Sequence, residues 1–118
     1  MELTLKEKIE ICYQAVIDKK GENVVILDLQ KITSFTDYFL ICSGSSTKHV
    51  QSIADEIIRR LGKKEKKGGN IEGYQAGKWI LVDCIDVVAH IFHEETRNFY
   101  NIERLWGDAD KIKIAVND

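Results

Sequence analysis

Residues 78–97 read KWILVDCIDVVAHIFHEETR, and the alternation inside this stretch decides the fold. In a strand, side chains point to opposite faces in turn, so Ile80, Val82 and Cys84 share one side while Trp79, Leu81 and Asp83 share the other. Both sides carry large apolar residues. The strand therefore needs cover above and below, as in a sheet layered with helices. DVVAHIF supplies a further strand, and EETRNFYNIERLW a helix with Phe99, Ile102, Leu105 and Trp106 turned inward.

Upstream, IEGYQAG and KWILVDC are two strand-like runs joined as a hairpin around Gly77, preceded by the Lys- and Gly-rich loop KKEKKGGN. SSTKHVQSIADEIIRRLG opens with hydroxyl residues able to cap a helix and places Val50, Ile53, Ala54, Ile57, Ile58 and Leu61 on one stripe. NVVILDL lacks alternation, as expected of a strand covered on both faces or central in a sheet, and DYFLICSG reads as a strand ending at Gly44. Near the start, Thr4 and Glu7 form a capping box for a helix that buries Leu5, Ile9, Cys12 and Val16 and stops at Gly21. The predicted order is αββαβββα: an α/β fold with a mixed five-stranded sheet, as a single domain over residues 1–118. The tail, residues 110–118, has no assigned role.

Composition agrees with a globular chain. Hydrophobic residues make up 44% of the 118 and charged residues 31%. The charged N-terminus has no signal-peptide pattern, and no apolar run approaches the roughly 20 residues that span a bilayer. A cytoplasmic protein without a membrane partner is expected, with Cys12, Cys42 and Cys84 reduced; their spacing contains no CxxC pair that would favour structural zinc. The net charge of −2 hides a polarity along the chain. Arg59, Arg60, Lys63, Lys64, Lys66 and Lys67 surround the single acid Glu65, whereas acids dominate from Asp83 to Asp110. The basic run is either a solvated helix end and loop or an RNA-binding segment. The acidic end suits a basic protein better than a nucleic acid.

Asp83, Cys84, Asp86, His90, His93, Glu94 and Glu95 fall within residues 83–95, so catalysis and metal binding both need weighing. HIFHEE is not HExxH, and its two histidines straddle a strand end and a helix start, so they do not align as metal ligands. Glu94 and Glu95 suit the first turn of a helix, where acids complement its dipole. Cys84 sits with Ile80 and Val82, a setting that disfavours a reactive thiolate. Gly44 and Ser45, between a strand and a helix, could cradle phosphate as in a nucleotidyltransferase-like enzyme. The Mg²⁺ site such an enzyme needs fails unless a bulge intervenes, because Asp83 and Asp86 are three apart and point to opposite faces of a regular strand. No catalytic residue, cofactor or metal is expected. The face bearing Trp79, Leu81 and Asp83 is then either an open platform with the make-up of an interface hot spot, or a core tryptophan with Asp83 at the strand's wet end.

TDYFLICSGSSTKHVQSIADEI (residues 36–57), EGYQAGKWILVDCIDVVAHIFHEETRNFYNIERLW (residues 72–106) and the spacing between them closely resemble the ribosomal silencing factor, or Iojap-like, family over roughly Leu5 to Ala109. The resemblance implies a nucleotidyltransferase-like fold without that superfamily's catalysis. It implies a repressor of translation under nutrient limitation, which binds the fourteenth protein of the large ribosomal subunit and blocks joining of the small subunit. The tryptophan matching Trp79 belongs to the family's contact surface, and the partner surface is basic. The expected partner-binding set is Tyr74, Trp79, Leu81, Asp83, Asp86, His90, Glu94, Glu95 and Arg97, with room for a minor rRNA contact and for a homodimer off the ribosome. One departure stands inside the motif: the family commonly has glycine where this chain has Ile85, so a positive-φ bend there would be strained.

Overall fold

The computed structural model describes residues 3–34, 36–62, 70–105 and 109–112. Helix α1, Leu5–Asp18, starts at the expected capping box: Thr4 Oγ1 accepts from the Glu7 amide at 3.1 Å and a Glu7 carboxylate oxygen accepts from the Thr4 amide at 3.0 Å. Strands β1, Glu22–Asp28, and β2, Tyr38–Gly44, follow, then helix α2, Thr47–Gly62. Strand β3, Asn70–Glu72, pairs antiparallel with β4, Trp79–Asp83, as the hairpin reading required, although β3 is shorter than IEGYQAG. The link between them turns at Gly73 (φ 78) and Gly77 (φ 65). At Gly77 a Cβ would lie 2.2 Å from the Thr47 side chain, so only glycine lets the hairpin lie against the start of α2.

Strand β5, Val87–His93, runs parallel to β2 and antiparallel to β4 at the centre of the sheet, whose order is β3-β4-β5-β2-β1-β6. Helices α1 and α2 cover one side. Their Ile9, Cys12, Val16, Val50, Ile53 and Ile57 pack on Leu40, Cys42, Ile80, Val82, Ala89 and Ile91. The alternate residues of the same strands build a second cluster on the other side, where Leu27, Phe39, Ile41, Val88 and Phe92 meet Leu29 and Ile102.

Two expectations need correction. The described residues form six strands rather than five, because Asp110–Ile112 of the tail is strand β6, antiparallel to β1 at the sheet edge. The third helix is broken: α3, Glu94–Tyr100, ends at Asn101 in the left-handed region (φ 43), and a separate turn α4, Ile102–Leu105, follows. Asparagine tolerates that conformation better than most residues, and the Asn101 amide still closes the helix on the Arg97 carbonyl at 2.8 Å. Ile102 is buried as expected, whereas Trp106, the loop 63–69 and the side chains of Phe99 and Leu105 lie outside the described residues.

Candidate partner-binding face

Alternation along β4 puts Trp79 on the side of the sheet away from α1 and α2. It is half-buried there. The indole stacks on Phe92, its cross-strand neighbour, at 4.9 Å between ring centroids, and meets Tyr100 of α3 at 5.0 Å. Its Nε1–H donates to His90 Nδ1 at 3.1 Å. This fixes the imidazole as the tautomer protonated on Nε2, and that Nε2–H is buried without an acceptor among the described residues. His90 is 4% exposed, and burial pushes its pKa down to about 4. The face is therefore not an open platform. It is a second core cluster with Trp79 and Leu81 at its margin. His90, one of the expected contacts, takes instead the core position that a histidine within a strand-like run more often has, as the base beneath the indole.

Beside Trp79, Ala76, Lys78, Glu95, Thr96 and Tyr100 enclose a cleft of ≈ 390 Å³. Tyr100, 51% exposed over the indole, was not among the expected contacts. Its signal is present in the sequence, one turn after Thr96 on the same helix side. Glu94 and Glu95 stand exposed in the first turn of α3, where His93 caps the helix by accepting the Glu95 amide at 3.3 Å. Arg97 turns back to the sheet: its Nη1 donates to the Asn23 carbonyl at 2.6 Å and to Ser43 Oγ at 2.8 Å, tying α3 to β1 and β2.

The remaining expected contacts separate. Asp83 Oδ1 accepts from the Ile85 amide at 2.9 Å and shapes the β4–β5 turn. Asp86 lies 3.5 Å from the ammonium of Lys8, which is 3% exposed and also donates to the Cys84 carbonyl at 3.1 Å. A buried ammonium without an anion would be costly, so the Asp86 carboxylate holds α1 to the turn. Ile85 at the tip has φ 73, the positive-φ bend that a glycine would take without strain. Tyr74 is placed on the wrong side for this face. It packs against the α1/α2 cluster, donates its hydroxyl to Asp55 at 3.0 Å, and accepts from Gln51 through its carbonyl at 2.8 Å.

The rival chemistries meet occupied groups. At the Gly44–Ser45 turn, His49 Nδ1 accepts from the Ser45 amide at 2.9 Å and Ser46 Oγ accepts from the His49 amide at 3.1 Å, so the chain's own side chains fill the cradle. Arg59 and Arg60 of the basic run pair with Glu56, and Arg60 also pairs with Asp18 at 2.6 Å. Those guanidiniums, Arg59 first, hold the Glu56 carboxyl down to about 2. The rest of the run, Lys63 to Lys67, lies outside the described residues. Burial pushes the Cys42 thiol up to about 12. Among the described residues, no group of three or more His, Cys, Asp or Glu side chains is gathered as for a metal, and no helix is long and apolar enough to cross a membrane.

Comparison with known proteins bears on both fold and role. The family described as ribosomal silencing factor during starvation matches residues 2–118. The chain is 41% identical to the ribosomal silencing factor RsfS of Halalkalibacterium halodurans, over 92% of this chain and 93% of that one. It is 43% identical to the RsfS of Bacillus subtilis, over 88% of each. A crystal structure of a protein from Chromobacterium violaceum superposes with a TM-score of 0.86 at 31% identity, covering 98% of this chain and 95% of that one.

Proposed function

The chain belongs to the ribosomal silencing factor family, and from that premise we propose that it silences by occupancy: it binds the large ribosomal subunit through the fourteenth large-subunit protein and blocks joining of the small subunit. The observation that carries this reading is the pairing of a half-buried aromatic anchor with exposed acids on one side of the sheet. Trp79 and Tyr100 form the wall of a cleft, with Glu95 on its rim and Glu94 beside it. An amphipathic aromatic in a cleft flanked by carboxylates has the make-up of a hot spot for a basic protein surface. Leu81 extends the apolar centre and Asp83 the acidic edge. His90 and Arg97 act from behind, one holding the indole and the other holding α3.

No chemical step belongs to this reading. A nucleotide is not required, since the amide cradle at Ser45 is already filled from within the chain. The work is done in the cytoplasm wherever free large subunits are found.

Pelleting with purified large subunits tests the reading. The protein is expected to sediment at one copy per subunit without added nucleotide. The double variant Glu94→Lys with Glu95→Lys is expected to stay in the supernatant, because attraction to a basic surface becomes repulsion. Pelleting that persists in the variant, or that requires ATP or GTP, contradicts it.

A further inference from the structure

Strand β3 is an outer edge of the sheet, and its register with β4 places Glu72 opposite Leu81 and Asn70 opposite Asp83. Directly opposed residues point to the same side of a sheet. Glu72 and Asn70 therefore stand on the Trp79 side, one strand beyond the row Trp79, Leu81 and Asp83, while Ile71, opposite Val82, faces the side of α1 and α2. Helix α3 rests on β5 and β2, inward of that row. The two outer strands are left open to solvent on this side: Glu72 and Asn70 are exposed, and Leu81 and Asp83 are half-buried.

This strip carries charge of one sign. The described side chains that β3 and β4 place on it are Asn70, Glu72, Trp79, Leu81 and Asp83, and none is basic. In the Trp79 cleft, Glu95 shares the walls with Lys78, whose ammonium offsets its charge. The excess negative charge that would select a basic protein lies outside the cleft, on the strip. We propose that the docking surface runs from the Trp79 cleft across β4 to the sheet edge, and that Glu72 receives a lysine or arginine of the large-subunit protein. The indole then sits between two carboxylates, Glu95 on the α3 flank and Glu72 on the β3 flank, with Leu81 as the apolar floor beside it. This rests on the large-subunit reading of the Trp79 cleft and adds a contact that lies upstream of the acidic run from Asp83 to Asp110.

Pelleting with purified large subunits at low and at physiological salt tests this on three variants. Glu72→Lys is expected to bind about tenfold more weakly than wild type at low salt and Glu72→Gln severalfold more weakly, with both deficits shrinking as salt screens the pair. Glu10→Lys makes the same change of charge on an exposed residue of α1, on the other side of the sheet, and is expected to pellet like wild type. All three should keep the wild-type melting temperature, since neither glutamate is buried. If wild type pellets and Glu72→Lys pellets no worse than Glu10→Lys, the extension to β3 is overturned and the cleft reading stands. A deficit that salt leaves unchanged, or one confined to Glu72→Lys with a lowered melting temperature, also overturns it. If wild type itself stays in the supernatant, both the extension and the cleft reading fall.

Discussion

The indole of Trp79 and the imidazole of His90 share one hydrogen bond, Nε1–H to Nδ1 at 3.1 Å, so the aromatic residue best placed to meet a partner is fastened to a buried base beneath it. Truncating an exposed anchor would leave folding within about 0.5 kcal/mol. This anchor differs. Trp79→Phe keeps an aromatic ring on Phe92 but strands His90 Nδ1 without a donor, and should cost about 1–3 kcal/mol in urea unfolding. Trp79→Ala, which also removes the stacking, should cost at least as much, near the lower end of about 3–5 kcal/mol because the ring is only half-buried.

His90 also makes stability depend on pH. Its folded pKa, about 4, lies below the ordinary 6.5, so the unfolded chain binds a proton that the folded chain refuses. The contribution is intact above pH 6.5, is lost progressively as pH falls toward 4, and changes little below that. The loss should approach about 3 kcal/mol. Unfolding curves of His90→Phe measured over the same range should be flatter than those of the wild type by that amount.

Ile85 carries a β-branched side chain at φ 73 and is 65% exposed, so it gains little packing in return for its strain. Ile85→Gly should therefore stabilise the fold, by about 1 kcal/mol once the greater freedom of glycine in the unfolded chain is subtracted. Thermal unfolding checks it: a melting temperature that rises agrees, and one that falls shows that the isoleucine side chain contributes contacts of its own.

Legibility in the sequence followed the strength of periodic signals. The alternation of Trp79 to Cys84 sorted the two sides of β4 correctly, and the stripe from Val50 to Leu61 and the Thr4–Glu7 box placed α2 and the start of α1. β6 escaped because three residues, Asp110–Ile112, carry no alternation to read. The break at Asn101 escaped because one left-handed residue leaves the apolar spacing on either side intact. In the candidate site, spacing could mark which residues share a side of their own element. It could not show that Tyr74 crosses to the α2 side, that Lys8 reaches Asp86 across the chain, or that Arg97 turns inward to Ser43. Those are tertiary pairings between distant segments, and they tie three of the nine expected contacts to other parts of the fold.

The lock on α3 gives a separate test of that inward placement. Arg97→Ala frees the carbonyl of Asn23, which itself has φ 51 at the irregularity between Glu22 and Val25, from its guanidinium partner. Hydrogen exchange should then speed up in α3 and across the β1–β2 irregularity together, whereas loss of a purely external contact would leave both protected.

The most direct measurement of the central claim is the yield of joined ribosomes when increasing protein is added to separated subunits, followed by gradient sedimentation. Silencing by occupancy predicts that joining declines in proportion to the protein added and ends near one copy per large subunit, with no nucleotide present and with Glu94→Lys, Glu95→Lys inactive at the same ratio. Inhibition complete at far below one copy per subunit, or appearing only with ATP or GTP, would contradict it.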